Sequence, residues 1–89
     1  MAKIAFTRHL AGIAPAGPVE HDAATLGELL EAVAAGHPRL RSYVLDDQGR
    51  LRKHIAVFVD GELRRRETAL ALPMTKASEV HVFQALSGG

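Results

Sequence analysis

The 89-residue chain contains no cysteine, and charge of neither sign predominates. Without cysteine these residues can form no disulfide framework, thiolate metal site or cysteine nucleophile. Eleven Lys and Arg residues face ten Asp and Glu, so the net charge of +1 provides no strong overall field toward nucleic acid or an anionic membrane. Any electrostatic partner must therefore be recognised by a local cluster of charge.

Long hydrophobic runs are also missing. The longest stretch without a charged side chain, His9 to Val19, has eleven residues, whereas a bilayer span needs about 18. Lys3 and Arg8 precede a short apolar run and Ala14-Pro15-Ala16, an arrangement that imitates a signal peptide. Its apolar part, Leu10 to Ala14, includes a glycine and is shorter than the ~7 to 15 residues that such a region needs. We therefore predict a cytoplasmic chain with no membrane partner.

What is present is the composition of one small globular domain. Hydrophobic residues make up 47% and charged residues 24%, which is ordinary for folded proteins. A chain of this size buries only ~60% of its unfolded surface, too little for two cores. We predict one domain over residues 1–85 and a flexible tail over residues 86–89.

Two segments near the start predict a hairpin. Ile4 and Phe6 alternate with polar or small neighbours over residues 3–7, the period of a half-buried strand. Glycines and prolines cluster over residues 12–18, after which Val19 to His21 can return as a second strand.

A helix is predicted from about Leu26 to Ala35. Thr25 and Glu28 have the spacing of a capping box, in which both side chains bind backbone amides at a helix start. This explains the pair without assigning it to catalysis. One helical face is apolar: Leu26, Leu29, Leu30 and Val33. Gly36 is expected to end the helix in a left-handed conformation, and Pro38 to prevent its continuation.

The second half of the chain predicts irregular structure and then a hairpin. Residues 43–45 form a brief apolar run before a turn at residues 46–49, and we expect no regular element there. His54 to Val59 alternates as a strand, with Ile55, Val57 and Val59 on one face. Asp60-Gly61 suits a type I′ turn, so Glu62 to Arg65 should pair back.

The last strand completes the predicted fold. Residues 73–78 read as a loop, and Glu79 to Ala85 alternates again. The order of elements favours an α+β fold, with a mixed sheet of four to five strands packed on one main helix. Strand alternation sends the valines of both later strands toward the helix and leaves Phe58, His81 and Phe83 on the opposite face. A slip of one residue would exchange the two faces.

No constellation of residues predicts catalysis or metal binding by this chain. The five histidines are scattered, form no His-x3-His pair and have no cysteine to complete a zinc set. Surface or strand-filling roles are therefore expected for His9, His21, His37, His54 and His81.

Basic residues concentrate in the middle of the chain. Residues 39–66 hold eight of the eleven Lys and Arg against four acids, a local charge of +4. Only Tyr43 and Phe58 lie within this segment to stack bases, which disfavours nucleic acid as the partner. A solvated face or an acidic protein partner is the prediction.

The sequence ends in Gly88-Gly89. At a glycine usage of ~7%, two consecutive glycines at this position arise by chance about once in 200 sequences. Glycine tolerates both signs of φ and has no Cβ, so such a segment can thread a narrow channel. Extended, residues 86–89 span at most ~14 Å. A frayed glycine end is the alternative.

Taken together, these elements resemble the MoaD and ThiS family of ubiquitin-like β-grasp sulfur-carrier proteins. The resemblance covers the whole chain in element order and rests on two motifs, residues 57–62 (VFVDGE) and residues 79–89 ending in Gly-Gly. The long segment before Leu51-Arg52-Lys53-His54 looks more like the CysO type than the shorter ThiS type. Ala77-Ser78 and Phe83-Gln84 depart from the Gly-Asp and the proline that the family often places near the last strand.

The resemblance implies a function without catalysis by this chain. In the family, an ubiquitin-activating-like adenylyltransferase of the MoeB or ThiF type uses ATP with Mg to convert the terminal glycine to an acyl-adenylate. A sulfur donor protein then yields a thiocarboxylate for a sulfur-accepting synthase. Here the carboxylate would be that of Gly89, preceded by Gly88, and no cofactor would be bound. The alternative is a β-grasp binding module or a modifier joined to lysines.

A partner-binding surface is expected beside that terminus. If the two later strands are neighbours, Phe58 and Phe83 form one exposed patch with His81. Leu86 and Ser87, at the root of the Gly-Gly, would extend it. An activating enzyme must dock near this point to reach the carboxylate.

Overall fold

A mixed five-stranded sheet forms one layer of the protein in the computed structural model, which describes residues 1–10 and 12–84. The strands are β1 (Ala2–Phe6), β2 (Val19–His21), β3 (Ile55–Val59), β4 (Glu62–Arg64) and β5 (Glu79–Gln84). Their spatial order is β2-β1-β5-β3-β4. β5 is central, parallel to β1 and antiparallel to β3.

Helices cover one face of this sheet. The main helix is α1 (Leu26–Ala34), followed by α2 (Pro38–Val44), the short α3 (Arg66–Ala69) and a 3-10 turn at Arg8–Leu10. The apolar side of α1 and the inward side chains of the sheet share one core, and its most completely buried large members include Ile4, Leu26, Leu29, Val57, Val80 and Val82. This is the predicted α+β arrangement of a sheet on a main helix.

Local sequence signals determine the start of α1. The Thr25 hydroxyl accepts a hydrogen bond from the Glu28 backbone amide at 3.2 Å, which satisfies one of the amide donors that a helix start leaves unpaired. Leu30 and Val33 are 2% and 3% exposed. The predicted core face and the Thr25 half of the predicted capping box are therefore confirmed, whereas no described backbone amide donates to the Glu28 carboxylate.

The end of α1 corrects two predictions. Gly36 does not adopt a positive φ, and Pro38 starts a new helix instead of only ending the previous one. Proline fits the first position of a helix because its missing N–H would find no partner there. The irregular structure expected at residues 43–45 is consequently wrong, since Tyr43 and Val44 belong to α2.

The β3–β4 hairpin forms as predicted. Asp60 and Gly61 have φ values of 52° and 85°, the left-handed conformations that a type I′ turn requires of both central residues. Val59 pairs with Glu62 on the two sides of this turn. The Asp60 carboxylate also accepts a hydrogen bond from the Glu79 amide at 2.9 Å, which joins the turn to the start of β5.

Candidate functional site

The predicted site residues fall into two groups. Leu86, Ser87, Gly88 and Gly89 lie outside the described residues, as does Ala85, the last residue of the predicted domain. Phe58, His81 and Phe83 lie on the sheet. Gln84 ends β5, which has a hydrogen-bonded strand on each side. At its end β5 is paired on one side only, since Gln84 pairs with Ile55 of β3 whereas the pairing with β1 stops at Val82.

The open face of the sheet carries an aromatic pair. The rings of Phe58 and Phe83 meet edge to face, with centroids 5.1 Å apart and planes at 66°. The His81 ring lies 6.5 Å from that of Phe83. Aromatic pairs in this geometry stabilise each other beyond the area they bury. Phe83 nevertheless remains 38% exposed.

Alternation along the strands explains this placement. Val57, Val59, Val80 and Val82 are all 5% exposed or less and point into the core. Their neighbours in the sequence must point to the other face, because successive side chains of a strand alternate. The predicted face assignment of the three rings is therefore confirmed, while their role in binding a partner stays a prediction.

Sequence reasoning missed one member of this surface. Leu63 of β4 pairs with Phe58 across the hairpin and is 64% exposed. The signal was present, because a two-residue turn at Asp60-Gly61 sets Leu63 opposite Phe58. Phe58, Leu63, His81 and Phe83 are hereafter the open-face patch.

A second arrangement fixes the end of β5. The Tyr43 hydroxyl, on α2, donates a hydrogen bond to the Gln84 side-chain oxygen at 2.7 Å. The Tyr43 ring packs edge to face against His54, with centroids 4.9 Å apart. Because α2 was not predicted, this link from the helical layer to the last described residue could not be anticipated.

The turn before β3 is organised by one carboxylate. Asp46 Oδ1 accepts hydrogen bonds from the backbone amides of Gln48 and Arg50, both at 2.9 Å. Arg50 Nε lies 3.4 Å from the other carboxylate oxygen. These contacts, the Arg50 amide foremost, hold the pKa of Asp46 below its ordinary value of 3.8.

Neutralising this carboxylate is expected to remove an acid-sensitive part of the stability. A depressed pKa means that Asp46 stabilises the fold above its unfolded pKa and loses that contribution as the pH falls through the folded value. Asp46→Asn keeps the shape but not the charge. Its free energy of unfolding should lie below that of the unchanged chain at about pH 7, with a smaller difference at about pH 3, measured by urea denaturation.

Asp47→Asn is the matched control in the same turn. Asp47 is exposed, and its carboxylate makes no hydrogen bond within the described part of the chain. Asp47→Asn should therefore leave the free energy of unfolding unchanged at both pH values. A difference for Asp46→Asn that stays constant between the two pH values would contradict the assignment.

Over residues 1–10 and 12–84, no three carboxylate or imidazole side chains come together in a way that could hold a metal ion. Within the same part of the chain, no helix has the length and apolar character needed to cross a membrane.

Comparison with known proteins agrees with this architecture. The model of the ThiS family matches residues 4–89. Small archaeal modifier protein 1 of Haloferax volcanii is 38% identical over 66 residues, which are 74% of this chain and 71% of that protein. A crystal structure of SAMP1 from Haloferax volcanii superposes with a TM-score of 0.80 at 32% identity, covering 99% of this chain and 98% of that one.

A third similarity concerns the fold alone. The crystal structure of the BexX/CysO complex of Amycolatopsis orientalis includes a chain that matches with a TM-score of 0.84. The two chains cover each other completely at 20% identity.

Proposed function

Because the chain belongs to the ThiS family, we propose that it is a sulfur carrier whose Gly89 carboxylate is activated and converted to a thiocarboxylate. Members of this family are small protein carriers rather than catalysts. The observation that carries the proposal is that the family match runs through residue 89 and so includes both glycines. A partner adenylyltransferase then performs the chemistry.

The proposed reaction has two steps. A carboxylate is a poor electrophile, so one oxygen of the Gly89 carboxylate first attacks the α-phosphorus of ATP and displaces pyrophosphate. Hydrosulfide supplied by a donor protein then attacks the acyl carbon, and AMP leaves with that oxygen. The products are a thiocarboxylate, AMP and a proton. The chain supplies the carboxylate and a surface for recognition, while the partner binds ATP with Mg.

Reconstitution tests this proposal. The purified chain is incubated with its activating enzyme, Mg-ATP and hydrosulfide, and the intact mass is then measured. A product about 16 Da heavier, the difference between sulfur and oxygen, supports the carrier function. Formation of the adenylate without any sulfur-containing product would favour the alternative described below.

The open-face patch is the proposed docking surface for the activating enzyme. Its rings lie on β3 and β5, and β5 leads directly to the tail. A partner must contact the body of the domain near that strand to position the terminus. A few anchor residues, often aromatic, provide most of the binding energy of a protein interface.

Truncating the two phenylalanines should weaken this contact selectively. Phe58→Ala and Phe83→Ala are each expected to reduce activating-enzyme binding at least tenfold, about 1.4 kcal/mol, while the melting temperature falls only slightly through loss of the ring–ring contact. Neither ring is part of the buried core. Isothermal titration and thermal denaturation of the same samples measure the two effects.

Arg39→Ala provides the control, since Arg39 is exposed on α2 in the helical layer. Its affinity should match that of the unchanged chain. If Phe58→Ala and Phe83→Ala both unfold the protein, the rings support the fold and the docking proposal is wrong. Equal affinity for all three variants would also contradict it.

One comparison favours a second candidate. A relative at 38% identity is called a modifier protein, and a modifier would join its terminal carboxylate to a lysine amine after the same adenylation. The body, the patch and the adenylate would be shared by the two functions. They differ in the group that displaces AMP, which is sulfur in one case and nitrogen in the other.

A further inference from the structure

An open groove beside α3 is lined by basic side chains that have no role in the proposed carrier function. It encloses about 580 Å³. A second recess of about 360 Å³ shares three of its lining residues, so the two recesses adjoin and form one depression. Four basic side chains line it: Arg50, Arg52, Lys53 and Arg66. This depression is hereafter the basic groove, and Leu51 and Leu70 contribute its apolar lining.

Backbone carbonyls hold two of the guanidinium groups. Arg52 Nε donates to the Ser42 carbonyl at 2.8 Å, and Arg66 Nη1 donates to the Leu51 carbonyl at 3.2 Å. A carbonyl fixes the orientation of a guanidinium without neutralising its charge, unlike a carboxylate. The remaining N–H groups of each fork are suited to bind a carboxylate in a bidentate manner.

Acidic residues at the groove do not cancel this charge. Asp46 is committed to two backbone amides and lies 3.4 Å from Arg50 Nε. Glu67 approaches Arg66 Nη2 only at 3.7 Å and is largely exposed, so solvent weakens that pair. The four cations and two acids leave a local charge of +2.

We propose that the basic groove binds an acidic segment of a partner protein, with Arg52 and Arg66 as the principal carboxylate contacts. Three of the cations lie on the segment before β3 and the fourth, Arg66, on α3, so one partner segment can place several carboxylates against them. Leu51 and Leu70 offer apolar contact between them.

Other anions fit the groove less well. None of the described residues that line the groove is a phenylalanine, tyrosine or tryptophan on which a base could stack. The net charge of +1 gives little long-range attraction for a polyanion. A segment of a protein, with discrete carboxylates, is the occupant that these features favour.

The groove also lies near the end of β5. His54 lines the groove and precedes Ile55, which pairs with Gln84 in the sheet. A protein that contacts the groove is therefore placed next to the last described residue. The binding site itself does not depend on whether the tail carries sulfur.

Titration of the ¹⁵N-labelled chain with a blocked hexaglutamate peptide tests the proposal. Saturable amide shifts are expected at residues 50–54 and at Arg66. Arg52→Gln combined with Arg66→Gln should raise the dissociation constant at least about tenfold at ~0.15 M salt. Inorganic phosphate and an oligothymidylate are titrated under the same conditions.

Two further pairs of substitutions make the outcome decisive. Arg50→Gln with Lys53→Gln removes two groove charges whose side chains donate to no backbone carbonyl among the described residues. This pair should also weaken binding, and it tests the proposal even if the first pair disturbs folding. Arg39→Gln with Lys76→Gln removes two exposed charges elsewhere, and should leave the affinity unchanged.

Three results would overturn the proposal. One is an absence of saturable shifts in the groove with hexaglutamate. Another is an equal loss of affinity in all three double variants, which would indicate nonspecific attraction. The third is binding of phosphate or oligothymidylate at least as tight as that of the peptide, which would assign the groove to phosphate groups.

Discussion

Adding one residue after Gly89, or deleting Gly89, is expected to abolish adenylation while leaving the fold intact. The reacting oxygen belongs to a carboxylate that must reach a nucleotide bound inside the partner, and residues 86–89 extend at most ~14 Å. An added residue with a side chain would also clash in a channel that is narrow enough to admit only glycine. Pyrophosphate exchange catalysed by the cognate activating enzyme measures the effect.

An extension of one residue before Met1 is the matched control. It adds the same increment at the other end of the chain, where Met1 is 57% exposed. Exchange should then proceed at the unchanged rate, and all variants should melt alike. Undiminished exchange by the chain extended after Gly89 would eliminate the carrier mechanism.

Leu30→Ala should have the largest effect on stability. Leu30 is 2% exposed on the face of α1 that meets the sheet, and such truncations cost about 2 to 5 kcal/mol. A small domain has on the order of 5 kcal/mol in all, so most of its stability would be lost. Chemical denaturation gives the difference in the free energy of unfolding.

Leu63→Ala makes the same chemical change at a surface position. Because Leu63 is 64% exposed, its free energy of unfolding should change by no more than about 0.5 kcal/mol. A loss of less than about 1 kcal/mol in Leu30→Ala, or equal losses in the two variants, would show that the α1 face is not the core.

Short-range rules were sufficient for much of the fold. The alternation of β3 and β5, the Thr25 cap and the Asp60-Gly61 turn each depend on residues within a few positions of one another. Pattern and turn chemistry therefore predicted the strands, the main helix and the face that carries Phe58 and Phe83.

The second helix was missed for a physical reason. Pro38 breaks a helix from within but is accommodated at its first position, and both interpretations were open from the sequence. Leu40 and Val44 of α2 are buried at the i and i+4 spacing. One such pair in the seven residues of α2 is a weak signal for a helix. The four residues of α3 are too few to show any helical period.

The site depends more heavily on tertiary structure. Tyr43 and Gln84 are 41 residues apart in the chain, and the Arg66 guanidinium meets a carbonyl 15 residues away. The sequence predicted a basic segment that is either a solvated face or the site of an acidic partner, but not that Arg52 and Arg66 are held by carbonyls. The glycines were identified from sequence alone, and their role stays a prediction.

Intact-mass spectrometry of the protein isolated from its own cells tests the central claim most directly. The carrier function predicts a species about 16 Da heavier than the free acid, in which sulfur replaces one oxygen. Alkylation should trap this species, because a thiocarboxylate is nucleophilic. A chain found only as the free acid, or joined through Gly89 to lysine side chains of other proteins without any sulfur-containing form, would contradict the claim.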